Sequence, residues 1–177
     1  MIIIALLVLL GIIGMIGVLV GTIVQIGLKV DLLKFIPKPI ITIVINNSLL
    51  VGLLVAVMAT AGSLYYSEVL NFAPCALCWY QRIFMYPQVI IFLVAVVFRD
   101  RHVFRYLVPL SIVGCLLVIY QLYITYFPPP FQPCDASGVS CTVEYVNYFG
   151  FITIPVMSFV SFILTGYLAW VSKSREL

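Results

Sequence analysis

Apolar residues in this chain do not alternate with polar ones; they come in long runs, separated by short clusters of charge and proline. A run of about 20 apolar residues is long enough to cross the hydrocarbon core of a bilayer as one helix. Five such runs are predicted: residues 1–27, about Ser48–Tyr66, about Pro74–Phe98, about Tyr106–Phe127 and about Gly150–Val171. The first has no charge before Lys29 and lacks the basic start and short apolar region of a signal peptide, so it reads as a transmembrane helix. Gly17 and Gly21, extended by Gly11 and Gly14, give it a small-residue face open to a neighbouring helix; generic membrane-helix glycine explains them equally well.

The breaks between the runs define the rest of the layout. Residues 28–47 hold Lys29, Asp31, Lys34 and Lys38, are interrupted by Pro37 and Pro39, and leave Ile40–Ile45 too short to span, which predicts an interfacial cytoplasmic connector. Residues 48–172 then form a four-helix core, followed by a short tail at 173–177. Tyr65 and Tyr66 suit the membrane–water boundary at the end of the second helix. Pro74 is placed to start the third helix, and Pro87 to kink it by removing a hydrogen bond in mid-span. Pro128, Pro129 and Pro130 stop the fourth, and Pro155 falls in the first turns of the fifth, where proline is best tolerated.

Composition agrees and charge adds an orientation. Of 177 residues 64% are hydrophobic and 8% charged, and mean hydropathy is +1.24, which excludes a water-soluble core. Eight of the nine basic residues lie in three places: Lys29, Lys34 and Lys38; Arg99, Arg101 and Arg105; Lys173 and Arg175. This is the pattern of short cytoplasmic loops, so the net charge of +3 calls for no nucleic-acid partner. Five spans with the tail inside put the N-terminus outside. His102 sits in the second basic cluster and reads as a solvated loop residue.

Cysteine introduces the chemistry. Cys75 and Cys78 form a C-x-x-C pair, Cys134 and Cys141 a second pair, and Cys115 stands alone in an apolar run as a packing residue. Both pairs fall in segments poor in Lys and Arg, which predicts the extracytoplasmic side, where disulfides persist. Cys75 and Cys78 are expected in the first turn of the third helix, where the dipole favours thiolate. Arg82 follows four residues after Cys78, so all three share a face. It lies roughly 12 Å along the helix from Pro74 at about 1.5 Å per residue. There an arginine is either an interfacial anchor or a cation that stabilises a thiolate or holds an acceptor's carbonyl oxygen.

Other readings of the cysteines stay open at this level. Four of them can ligate zinc, but the second pair has C-x₆-C spacing and no histidine lies near. A disulfide across the eight-residue loop Cys134–Cys141 stabilises by about 2.5 kcal/mol in chain-entropy terms, enough for a plain structural brace. Two pairs facing one compartment also suit a relay. A mobile exposed pair meets a soluble partner, and an embedded pair meets a lipid-soluble acceptor.

The stretch Cys75-Ala-Leu-Cys78-Trp-Tyr-Gln-Arg82 at a helix start resembles the signature of the DsbB family of quinone-linked disulfide-forming oxidases. Cys134 to Cys141 followed by Tyr148-Phe-Gly-Phe-Ile-Thr-Ile-Pro155 is similar to its short-loop branch, often called BdbC. The resemblance covers roughly residues 48–172 and implies an all-α polytopic membrane bundle with one extra N-terminal helix. It implies a bacterial inner-membrane enzyme whose redox-active disulfides are Cys75–Cys78 and Cys134–Cys141. A thioredoxin-like, DsbA-type oxidase would attack the second pair, with Cys134 in the mixed disulfide. Cys141 would pass electrons to Cys75, and Cys78 would face ubiquinone or menaquinone beside Arg82. No metal is implied. Residues 1–47 have no counterpart in the family core, and the loop between the second pair is short beside the longer-loop members. A VKOR-like quinone-linked enzyme shares the two-pair logic, and a non-catalytic scaffold with structural disulfides is the reading from outside enzymology.

Overall fold

In hydrocarbon every backbone N–H and C=O needs an internal partner, and a helix supplies these within one segment. The computed structural model describes residues 46–100, 102–127, 140–141, 145–146 and 153–173, and among them four helices are long and apolar enough to cross a membrane. These are α1 (Ser48–Leu64), α2 (Ala76–Phe98), α3 (Phe104–Tyr126) and α4 (Ile154–Lys173). The predicted helix over 1–27, nearly all of the connector 28–47, the end of the tail and Arg101 lie outside the described residues. Each helix packs on the next, and α4 closes back on α1, so the four form a ring.

The bundle differs from a water-soluble one in its outer surface, which is apolar, and in the polar side chains it admits between helices. Gln81, Gln88, Ser111, Gln121, Thr165 and Ser172 are buried between helices, while Ile90, Val97, Phe98 and Leu116 are more than half exposed. In water, each such exposed apolar side chain would forgo about 1.5–3 kcal/mol of burial. Facing lipid tails, it forgoes almost nothing. Association then depends on close contact between helices and on internal hydrogen bonds. Ser111 and Thr165 pair across α3 and α4 at 3.3 Å. Gly52 and Gly114 supply the close contact: a Cβ at either would overlap the ring of Phe92 or Phe162.

Two boundaries differ from the sequence expectation. α1 continues past Tyr66 through a π-helical segment, Tyr65–Val69, giving an unbroken span of 22 residues. Two residues beyond it Asn71 takes the left-handed backbone (φ 54°) that asparagine tolerates, while Phe72 N–H bonds back to Tyr66 O at 3.0 Å. α2 starts at Ala76, two residues after Pro74, because Cys75 takes the N-cap position in extended conformation. Pro155 is the second residue of α4, where Thr153 O accepts Met157 N–H at 3.1 Å. α2 runs on through Pro87 to Phe98 and closes with Arg99 in the left-handed region and Asp100 N–H on Ala95 O at 3.1 Å. The turn to α3 is short, with Asp100 Oδ1 accepting His102 N–H at 2.8 Å.

Candidate active site

The first cysteine pair is built by the way α2 begins. Cys75 Sγ accepts the backbone N–H of Cys78 at 3.4 Å, doing for this helix what a serine hydroxyl does for most. That cap turns Cys75 Sγ toward Cys78 Sγ, 2.8 Å away and in hydrogen-bonding contact. Both are free thiols here, whereas Cys141 is disulfide-bonded. Cys75 lies just before the span and is 4% exposed. Its thiol is held well above the usual cysteine range, first by the hydrogen bond with Cys78 and then by burial.

Cys141 is where the structure corrects the picture of a wholly exposed second pair. It is 4% exposed and packs in one cluster with Cys75, Leu77 and Ile124, against which Cys78 also rests. The physical reason is that the apolar ends of α2 and α3 cover the loop sulfur. Cys134 lies outside the described residues. Cys115 is half-buried against Met85, Val118 and Phe162, away from the other sulfurs, in the packing role its sequence context implied.

Arg82 shares a cavity wall with Cys75 and Cys78, but its guanidinium turns toward α1. Nε donates to Ser63 Oγ at 3.1 Å, one terminal nitrogen donates to Ser63 O at 3.2 Å, and the group lies 5.1 Å over the Trp79 ring. Tyr86 hydroxyl adds a contact to Ser63 Oγ at 3.5 Å. Ser63 sits just before the π-helical segment, and the Ser67 hydroxyl also donates to its carbonyl at 3.3 Å. Two of the five guanidinium N–H donors are thus fixed among the described residues.

The cavity measures about 460 Å³. Val51, Leu54, Met58 and Leu164 make much of its wall, and Cys75, Cys78, Arg82, Gln121 and Cys141 cluster at the polar part. Over the same region Phe72 stacks between Tyr66 and Tyr145, with ring centroids 6.1 and 4.9 Å apart, which ties the loop after Cys141 to the start of α2. A mostly apolar pocket of this size with a few converging polar groups is the usual form of a small-molecule site.

Two polar residues at this site, Ser63 and Gln121, are not marked by the sequence pattern, and Gln81 is marked there only as part of the signature and without a role. Gln121 Nε2 reaches Cys75 Sγ at 3.7 Å and Cys78 Sγ at 3.8 Å, and Gln81 Nε2 bonds Gln121 Oε1 at 2.6 Å. A signal existed, since glutamine inside an apolar run is costly unless paired. It does not name the partner, because that partner is 40 residues away.

Comparison with known proteins gives one consistent answer. The family described as "Disulfide bond formation protein DsbB" matches residues 46–172. "Disulfide bond formation protein C" of Bacillus subtilis (strain 168) is 47% identical over 113 residues, 62% of this chain and 80% of that protein. "Probable disulfide formation protein C 2" of Bacillus cereus is 40% identical over 123 residues, 70% of this chain and 88% of its own length. "Probable disulfide formation protein" of Metapseudomonas resinovorans is 37% identical over 131 residues, 73% and 91% of the two chains. No solved structure matches the chain significantly.

Proposed function

Because this chain belongs to the DsbB family of disulfide bond formation proteins, we propose that it is a membrane thiol–disulfide oxidoreductase that reoxidises a thioredoxin-like, DsbA-type protein outside the cytoplasm and delivers the electrons to a membrane quinone. One observation carries this reading: the Cys75 and Cys78 sulfurs, 2.8 Å apart, open onto an apolar cavity of about 460 Å³ that Arg82 also lines. The cavity suits a quinone ring and part of its chain, with greasy walls, a cation and thiols at one place. A bound quinone supplies a sink for two electrons and two protons.

The chain's own residues do the rest. The partner's thiolate attacks the disulfide of the second pair, at Cys134 on this reading, and the partner leaves oxidised once its other sulfur displaces the mixed disulfide. The reduced second pair then reduces Cys75–Cys78, with Cys141 attacking Cys75 Sγ; their packing in one cluster supports that order. Cys78 and Arg82 serve the acceptor, Arg82 offering N–H donors to a carbonyl oxygen. Ser63 and Trp79 hold the guanidinium at the wall.

Mixing the purified protein with a reduced thioredoxin-like protein and a water-soluble ubiquinone or menaquinone analogue tests the reading directly. Quinol should appear as partner thiols disappear, and Cys75→Ser should reduce both to background. A folded protein that oxidises no partner thiol would refute the assignment. Sidedness has its own test. A membrane-impermeant maleimide applied to intact cells after mild reduction should label Cys134, and labelling only from the cytoplasmic side would reverse the topology.

A further inference from the structure

One buried amide touches both sulfurs of the first pair. Gln121 is 3% exposed, and its Nε2 lies 3.7 Å from Cys75 Sγ and 3.8 Å from Cys78 Sγ. Its oxygen is taken by Gln81 Nε2 at 2.6 Å, and Gln81 is itself 5% exposed. With the oxygen so held, the amide must present its NH₂ to the sulfurs, and that group carries two donors.

We propose that Gln121 is a catalytic residue that stabilises the thiolate on whichever of the two sulfurs carries the electron pair, and that Gln81 is the positioning residue that keeps its amide in the donating orientation. This assignment rests on the reading of Cys75 and Cys78 as a redox-active pair. Consider reduction of their disulfide by the second pair. A thiolate of that pair attacks Cys75 Sγ; the new S–S bond forms as the Cys75–Cys78 bond breaks, and the electron pair stays on Cys78 Sγ. The other sulfur of the attacking pair, having lost its proton, then displaces Cys75 Sγ, which leaves as thiolate. One dithiol has become a disulfide and one disulfide a dithiol, with two electrons transferred and two protons taken up by the leaving sulfurs.

Negative charge thus appears on each sulfur in turn. A donor almost equidistant from both serves the two steps without moving. In a low-dielectric site a hydrogen bond to thiolate is stronger than one to a neutral disulfide sulfur. The amide therefore favours the reduced state over the oxidised one and raises the reduction potential of the pair. An oxidase becomes a stronger oxidant in the same way when its reduced form is stabilised.

The test isolates this pair in the full-length chain carrying Cys115→Ala, Cys134→Ser and Cys141→Ser. The protein is equilibrated in glutathione redox buffers, and the reduced fraction is read from the mass added by alkylation. Gln121→Met, of similar length but with no donor, should lower the equilibrium constant for reduction about tenfold, a shift of about 30 mV for a two-electron couple. Gln81→Met should shift it the same way by less. Gln88→Met removes another buried glutamine of α2 that touches neither sulfur, and should leave the midpoint where it was. An unshifted midpoint in Gln121→Met, or an equal shift in Gln88→Met, overturns the proposal. If Gln121→Met fails to fold, an unshifted midpoint in Gln81→Met overturns it instead. A background protein whose pair does not interconvert reversibly refutes the proposed function itself, so the two failures are distinct.

Discussion

The two ends of the bundle solve opposite problems. Away from the cysteines, Ala56, Phe92, Ala95, Val103, Leu107 and Ala169 are buried together in one apolar cluster, and Gly52 brings α1 against the Phe92 ring. A cavity of about 460 Å³ runs along α1 from Val51 and has its polar part at the cysteine end, where the buried side chains include sulfur and amide groups. In a bilayer the first arrangement holds helices together by contact, since lipid gives them no hydrophobic reason to associate. The second leaves space and spends polar groups on a site. Even the buried glutamines divide this way: Gln81 and Gln121 bond each other beside the sulfurs, while Gln88 Nε2, deeper in the bundle, has no hydrogen-bond partner among the described residues.

That contrast can be broken from either side. Arg82→Ala should have the largest effect. Losing a charged hydrogen-bond donor costs about 1.5–3 kcal/mol, or about ten- to a hundredfold in the proposed quinone KM, with thermal stability little changed. Partner thiol exchange at the second pair should persist, and its equal loss in stopped-flow assays would remove Arg82 from the acceptor site. Gly114→Leu should do the reverse. Forcing a side chain into the Phe162 ring should destabilise the bundle by about 1–3 kcal/mol, read as a lowered Tm in detergent. The thiol–disulfide midpoint of Cys75 and Cys78 in the protein that remains folded should not move. Ser63→Ala should have the smallest effect, because it removes the hydroxyl under Arg82 Nε but leaves the Ser63 carbonyl. Losing one such bond is worth about 0.5–1.5 kcal/mol, and a quinone KM raised about three- to tenfold is the expected reading.

Much of this molecule is legible in the amino-acid sequence alone. Apolar runs long enough to span locate all four described helices to within a few residues, because backbone satisfaction in lipid leaves a helix as the one answer for such a run. The spacing puts Cys78 and Arg82 on one helix and Cys75 at its N-cap for the same local reason. The errors are also local. Pro74 suggests a helix start that Cys75 takes over as N-cap, and Tyr65 and Tyr66 suggest an end that the π-helical segment passes through. Both depend on single hydrogen bonds that periodicity does not encode.

What the sequence by itself determined is the four described spans and the placing of Cys75 and Cys78 at the start of one of them, since these depend on residues within one segment and on the solvent they meet. Only the tertiary structure decided which polar groups reach the sulfurs. Gln121 comes from another helix, Ser63 draws Arg82 aside, and Cys141 is covered beside Cys75 rather than exposed. Those contacts join residues far apart in the chain. They are fixed by how four helices pack in order to satisfy one another, which no single run of sequence contains.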